Sequence, residues 1–273
     1  MFSSHGFIAG VAGILLAFAS ARAWALDAAG MAAVYKSKVD LSLSVPAVET
    51  QSYARLAESA LAQAGVEPVQ AQYLLVVDRH PHVQAALLFW RSQRGEYQWI
   101  GASPVSTGMP GSFDHFETPL GVFDHSLANP DFRAEGTVNE NGIRGYGVKG
   151  MRVFDFGWQR VPKGWGDGKV IEMRLQMHAT DPDALERRLG SAQSKGCIRI
   201  PASLNRLLDH YGVLDADYEQ AQRSGERQWV LDSPREPVPD PGRYLVVVET
   251  PREKRPPWSP RPSPARRKPA ATQ

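Results

Sequence analysis

The stretch SAQSKGCIRI, Ser191–Ile200, contains the only cysteine of a 273-residue chain. Cys197 stands between Gly196 and the pair Ile198-Arg199. A single cysteine cannot form an internal disulfide, so this thiol is either a buried, inert side chain or a working nucleophile. The choice between the two depends on the compartment of the protein and on the residues around the thiol.

The N-terminus has the features of a secretory signal peptide over residues 1–25. An apolar run, Phe7–Ala19, precedes the small-x-small sequence Ala23-Trp24-Ala25, which suits cleavage by a signal peptidase. The run is shorter than the roughly 20 apolar residues that a membrane span needs. The first residues carry no Lys or Arg, so an uncleaved anchor stays an alternative. We expect export to the periplasm, where structural cysteines occur in pairs.

The C-terminus, residues 250–273, is predicted to be a disordered, basic, proline-rich tail. From Pro251 onward it has seven Lys/Arg against one Glu and few apolar residues to bury. The whole chain carries a net charge of +2, the tail +6 and the leader +1, which leaves the body at −5. The tail either binds an anionic wall polymer or membrane surface or has no partner. No nucleic-acid partner is expected.

The chain between these ends predicts a mainly β fold of the α+β class with a few helices. Residues 26–72 have small and apolar residues at helical spacing and predict a helical N-terminal extension. Residues 129–168 predict loops and short strands, because their hydrophobic periodicity is weak. Further elements are predicted by their patterning: β-runs at 73–78, 83–90, 97–106, 170–177, 228–231 and 244–249, and an amphipathic helix at 201–211.

The neighbours of Cys197 suit a thiol nucleophile. His178 lies nineteen positions upstream, at the end of its own predicted strand, and could act as the base. Gly196 can adopt backbone angles closed to other residues, which would leave the N–H groups of Gly196 and Cys197 to bind an oxyanion. Lys195 would place a positive charge beside the thiol and favour the thiolate.

These residues resemble the L,D-transpeptidase catalytic domain, the YkuD family. The family signature is a histidine, a spacer of about fifteen residues, Ser/Thr-His-Gly-Cys, an apolar residue, and Asn or Arg. This chain has His178, fifteen intervening residues, and then Ser194 to Arg199. The segment PVSTGMPGSFDHFETPLGVF, residues 104–123, and the run YLLVVD also match the family pattern. The resemblance covers residues 73–249 and implies a β-sandwich catalytic domain there.

The resemblance also implies roles for single residues. Cys197 would be the nucleophile, His178 the proton donor and acceptor, and the backbone carbonyl of Ala179 would orient the His178 ring. Arg199 would orient substrate carboxylates. The family's second histidine is Lys195 here, which puts the choice of substrate bond in question. Additional substrate-binding residues are, by the same resemblance, Lys195 and Ser194.

The implied function is a peptidoglycan L,D-transpeptidase that forms a cysteinyl thioester with a stem peptide and transfers it to an amine, in cell-wall cross-linking, remodelling or cell shape. The alternatives are a hydrolase on the same fold, either an L,D-carboxypeptidase or a lipoprotein-releasing amidase; a transpeptidase acting at L-Ala–D-Glu; and a non-catalytic wall-binding protein. Neither a metal nor an organic cofactor is implied. His80 and His82 lack a third ligand at usable spacing.

Overall fold

The computed structural model describes residues 26–231 and 234–263. The predicted signal peptide lies outside these residues, as does the end of the predicted tail. The described chain is α+β, with most of its regular structure in two β-sheets. Its α-helices are α1 (Ala28–Lys38), α2 (Ala47–Gln63), α3 (Ala202–His210) and α4 (Ala216–Arg223). Its strands are β1 (Gln72–Asp78), β2 (Ala85–Arg91), β3 (Tyr97–Pro104), β4 (Gly121–Asp124), β5 (Phe132–Arg133), β6 (Arg152–Pro162), β7 (Val170–Ala179), β8 (Ile198–Ile200) and β9 (Tyr244–Val248).

The first sheet has the strand order β3-β2-β1-β9-β4 and is buried on both faces. Alternate residues of β1 point to opposite sides of the sheet. Leu75 and Val77 belong to one core and Leu74 and Val76 to another. This explains why β1 is a continuous apolar run rather than an alternating one.

The second sheet has the order β5-β6-β7-β8, and only the β7–β8 pair is parallel. Met173, Leu175 and Met177 on β7 enter the same core as Leu75 and Val77 of the first sheet. The two sheets therefore share one hydrophobic core. The opposite face of β7 is left for polar side chains, and the candidate site forms there.

The two N-terminal helices cover opposite faces of the first sheet. Tyr35 of α1 packs so closely on β3 that a Cβ at Gly101 would lie 2.3 Å from its ring. Its hydroxyl also bonds Ser103 Oγ at 2.6 Å. On the other face, α2 buries Tyr53 and Leu61 in the second core. Both helices of the predicted N-terminal extension are thus part of the packed body.

Two predictions of secondary structure are wrong. Residues 129–168 contain β6, a strand of 11 residues, because the neighbouring β7 and the core decide its conformation despite its weak periodicity. Residues 228–231, predicted as a closing strand, form a turn. A pattern as short as four residues does not distinguish a strand from a turn without a pairing partner.

The first part of the predicted disordered tail is ordered, which corrects that prediction for residues 250–263. The Arg252 guanidinium bonds the Glu49 carboxylate on α2 with distances of 2.9 and 2.6 Å. Trp258 meets Tyr53 edge-to-face at 6.2 Å between ring centroids. Ser259 Oγ donates to the backbone of the turn before β2. Composition suggested disorder, but these few anchoring side chains find partners on the body.

Candidate active site

The parallel pairing of β7 and β8 brings the two ends of the cysteine motif together. His178 is opposite Arg199 in the register, and Cys197 immediately precedes β8. Ile198 and Ile200 point into the core, so Arg199 and Cys197 face the other side, as His178 does. The fifteen residues between His178 and Ser194 only make the connection from one strand to the next.

His178 is held as a neutral base. Its Nδ1 lies 2.8 Å from the carbonyl oxygen of Ala179, the contact that the resemblance implied. Donation from Nδ1 leaves Nε2 as the proton acceptor. The ring is 5% exposed and meets Tyr146 edge-to-face at 4.6 Å. Burial lowers the pKa of His178 to about 4; the bond to Ala179 opposes this shift and the Arg199 charge adds to it.

The Cys197 thiol is free and half-buried. Burial raises the pKa of Cys197, while the backbone N–H of Gln176 and the charge of Arg199 oppose the rise. These shifts favour a neutral thiol and a neutral imidazole, so a reaction through the thiolate would need a base, such as His178, to take up the proton.

Lys195 is not the cation beside the thiol, which corrects the sequence-based expectation. Its side chain is 62% exposed and its Nζ pairs with Asp114 Oδ2 at 2.9 Å. The cation that acts on the thiol is Arg199. Arg199 is half-buried, and its Nη1 is 3.5 Å from the carbonyl oxygen of Gln193. A solvated lysine that pairs with a carboxylate is screened and has little effect on the sulfur.

Hydrogen bonds of the Ser194 hydroxyl fix the backbone of the loop before the cysteine. Its hydroxyl accepts the N–H of Gly196 at 3.0 Å and donates to the Cys197 carbonyl oxygen at 2.5 Å. The Gly196 N–H is therefore occupied and is not available to an oxyanion, contrary to the expectation. In the described part of the chain the Cys197 N–H makes no hydrogen bond, so it is the amide left for that role. Ser194 is 1% exposed and supports the loop instead of facing a substrate.

Thr118, in the sequence TPLG, fixes this loop from the opposite side. Its Oγ1 donates to the Gly196 carbonyl oxygen at 2.7 Å and accepts the Gly108 N–H at 2.8 Å. A Cβ at Gly108 would lie 2.1 Å from the Phe116 carbonyl oxygen, so only glycine fits there. Gly196 has a φ of +133°, which other residues rarely adopt. The two separated sequence motifs are thus one structural unit.

Three polar residues of the site were missed by the sequence reasoning. Gln176 and Arg174 on β7 lie on the face that carries His178, and Asp155 on β6 is bonded to both. A signal was present, because Arg174, Gln176 and His178 alternate with Leu175 and Met177 along one strand. The partner Asp155 had no such signal.

The described residues contain no group of three or more His, Cys, Asp or Glu side chains arranged to hold a metal ion. His80 and His82 instead form a turn in which the His82 N–H donates to His80 Nδ1 at 3.1 Å. Among the helices of the described chain, none has the length and apolar character needed to cross a membrane.

The similarity to known structures is weak. No family model and no curated protein matches the chain. A crystal structure of the helical cell shape determining protein Pgp2 (K307A mutant) from Campylobacter jejuni matches with 11% identity and a TM-score of 0.32. The match covers 83% of this chain and 56% of that one. A similarity at this level carries no argument about fold or activity.

Proposed function

We propose that the protein is a cysteine acyltransferase of the L,D-transpeptidase type, acting on peptidoglycan stem peptides after export. The observation that carries the proposal is that the parallel strands β7 and β8 bring His178 and Cys197 to the same face of the sheet, with Nδ1 of His178 tied to Ala179. A structural cysteine has no need of a base in a fixed tautomer. The stem-peptide substrate comes from the sequence resemblance.

The site supports a two-step reaction. Cys197 Sγ attacks the carbonyl carbon of an L-centre residue joined to a D-residue while His178 Nε2 takes the thiol proton. The Cys197 N–H faces the developing oxyanion. The C–N bond then breaks, His178 returns its proton to the leaving amine, and a thioester remains. An acceptor amine attacks that thioester, His178 takes its proton, and the thiolate leaves and is reprotonated.

The first experiment measures acylation of Cys197 by a carbapenem, a class that acylates the cysteine of the resembling family. Intact-mass analysis should show one adduct, which Cys197→Ala abolishes. His178→Ala should slow acylation by about a hundredfold to ten-thousandfold, the range for loss of a general base. Lys195→Ala should acylate at nearly the normal rate, since Lys195 pairs with Asp114 at the surface. A Lys195→Ala variant as inactive as His178→Ala would contradict this assignment of the base.

The second experiment identifies the acceptor and the bond. Peptidoglycan fragments are incubated with the protein and separated by mass spectrometry. Cross-linked dimers support transpeptidation, whereas trimmed stems without dimers indicate that water is the acceptor. The masses also distinguish a cut at diaminopimelate–D-Ala from one at L-Ala–D-Glu. Absence of both products, together with absence of the carbapenem adduct, would overturn the proposal in favour of a non-catalytic binding protein.

A further inference from the structure

We propose that Arg174 binds a carboxylate of the donor peptide on the acyl side of the scissile bond, the part that stays on the enzyme as the thioester. This inference rests on the proposed function. Arg174 is not part of the cysteine motif. It lies four residues before His178 on β7. Four residues of strand span about 13 Å, so the two side chains are at separate ends of the site.

The backbone of Arg174 lies directly beside Cys197. Cys197 Sγ is 3.8 Å from the Arg174 carbonyl oxygen. His178 and Arg199 occupy the opposite end, because they are paired in the register two residues beyond Cys197. His178 must protonate the leaving amine, so the leaving residue belongs at that end. The acyl portion of the donor then extends from the sulfur toward Arg174.

A buried carboxylate orients the guanidinium of Arg174. Asp155 Oδ2 forms an ion pair with Arg174 Nε at 2.7 Å, although the side chain of Asp155 is fully buried and that of Arg174 is 40% exposed. The same oxygen accepts Gln176 Nε2 at 2.7 Å, and Oδ1 accepts the Gly157 N–H at 2.9 Å. Since Asp155 is held on both oxygens by Gln176 and Gly157, it restrains the position of the guanidinium with which it pairs.

The outer edge of this guanidinium is left for a ligand. Within residues 26–231 and 234–263, Nη1 and Nη2 of Arg174 donate no hydrogen bond, and Asp155 is the only ion-pair partner of this side chain. Two parallel N–H groups in a fixed plane match the two oxygens of a carboxylate. Stem peptides present such groups on the acyl side, on diaminopimelate and on the D-Glu link.

A β-bulge places an exposed tryptophan against the same arginine. The register of β6 on β7 shifts between Asp155 and Trp158, which brings Trp158 opposite Arg174. The Arg174 guanidinium is 5.9 Å from the centre of the Trp158 ring, and Trp158 is 61% exposed. Gly157 permits the bulge with a φ of +77°. Bulges of this kind re-aim side chains next to active sites, and the exposed ring forms an apolar wall for the ligand.

The test compares Arg174→Gln with the wild type on three synthetic donor peptides. One has all its carboxylates, one is amidated on the acyl side, and one is amidated only at the C-terminus. The KM of Arg174→Gln should rise at least tenfold for the first and third peptides, with little change in kcat. It should not change for the acyl-side amide, which already lacks the partner of Arg174. Arg174→Lys should recover part of the loss.

Two controls keep the result specific. Arg160→Gln removes an exposed arginine on β6, opposite Glu172 in the same hairpin, and should alter KM by less than twofold. The rate of Cys197 alkylation by iodoacetamide, which is uncharged, should be the same in Arg174→Gln and wild type. Equal losses on all three peptides, or equal losses in Arg160→Gln, would overturn the assignment.

A binding measurement separates this inference from the proposed function. The first peptide should slow iodoacetamide alkylation of Cys197, and the acyl-side amide or the Arg174→Gln variant should weaken that protection at least tenfold. If protection follows this pattern but no peptide is turned over, the carboxylate site at Arg174 is supported and the proposed acyl transfer is contradicted. If peptides are turned over but protection does not depend on the acyl-side carboxylate, the proposed acyl transfer is supported and the role of Arg174 is contradicted.

Discussion

At the scale of single residues, the site is a neutral thiol–imidazole pair. Burial acts on both groups in the direction that disfavours charge: it raises the pKa of Cys197 and lowers the pKa of His178. An ion pair of thiolate and imidazolium would need the opposite shifts. Under the proposed function, proton transfer to His178 accompanies the attack, which predicts that the histidine is needed for carbonyl substrates but not for reagents that trap a preformed thiolate.

This difference predicts two distinct pH profiles. Alkylation by iodoacetamide should be slow at neutral pH and rise only beyond roughly pH 8.5, the usual pKa of a free cysteine, because the pKa of Cys197 is raised. Acylation by a carbapenem should instead be supported throughout the neutral range and fall only as His178 takes up a proton near its pKa of about 4.

Arg199→Gln provides the control for the alkylation profile. Its guanidinium favours the thiolate, so its removal should move the alkylation midpoint to higher pH. Rapid alkylation of the wild type at pH 6 would show a preformed ion pair and contradict the neutral pair.

At the scale of elements, the segment between β3 and β4 serves as a support for the cysteine loop. Ser106 pairs with Arg199 and Gly108 with Ser194, each as an isolated β-bridge. Thr118 then joins Gly108 to Gly196 through its hydroxyl. The nucleophile is thereby held on one side by β7 and on the other by this segment.

Thr118→Val tests that support, because valine keeps the shape and removes the hydroxyl. Two buried backbone groups lose their partner, and each unsatisfied group costs about 1–3 kcal/mol. The free energy of unfolding, measured with urea, should fall by about 2–6 kcal/mol. Carbapenem acylation at a temperature where the variant is folded should slow as well, since the loop loses its anchor.

Thr137→Val is the matched control, since Thr137 is exposed and a surface substitution is usually within 0.5 kcal/mol. Unchanged stability in Thr118→Val would mean that the hydroxyl does not support the loop.

At the scale of the whole molecule, residues 250–263 cover the outer side of the second core, the one that contains Tyr53 and Leu61 of α2. Trp258 packs against this core together with α2, and Arg252 and Ser259 fasten the segment on either side of it. Two basic residues of this part contact the body: Arg252 pairs with Glu49, and Arg255 donates to the carbonyl oxygen of Pro81 at 2.7 Å. Lys254 and Arg261 are exposed, so binding of an anionic polymer through the tail stays a hypothesis about these two residues and about residues 264–273, which lie outside the described chain.

Two truncations test the contribution of this segment. A chain ending at Ser263 should unfold at the same urea concentration as the full chain. A chain ending at Thr250 loses Trp258 and the Arg252–Glu49 pair, and its free energy of unfolding should fall by about 3 kcal/mol, as for removal of one large core side chain. Equal stability of the two truncated chains would show that the segment only rests on the surface.

The features that the sequence predicts well are local. The apolar runs that become β1, β2 and β7 and the amphipathic pattern of α3 each depend on residues within a few positions of one another. Cys197 and His178 stand out because a lone thiol, a glycine and a histidine at a strand end are chemically unusual together. Their spacing also agrees with a single strand-to-strand connection.

The features that the tertiary structure decides depend on partners far apart in the chain. Asp155 is unremarkable in sequence, yet it is bonded to Arg174 and Gln176 across the hairpin. Lys195 is adjacent to the motif glycine but turns outward to Asp114, 81 positions away. One local contact also differs from the expectation. The Gly196 N–H, which was expected to be free for an oxyanion, donates to Ser194 Oγ only two positions away. For each of these groups, partners close in sequence and partners distant in sequence compete, and only the folded structure shows which partner it contacts.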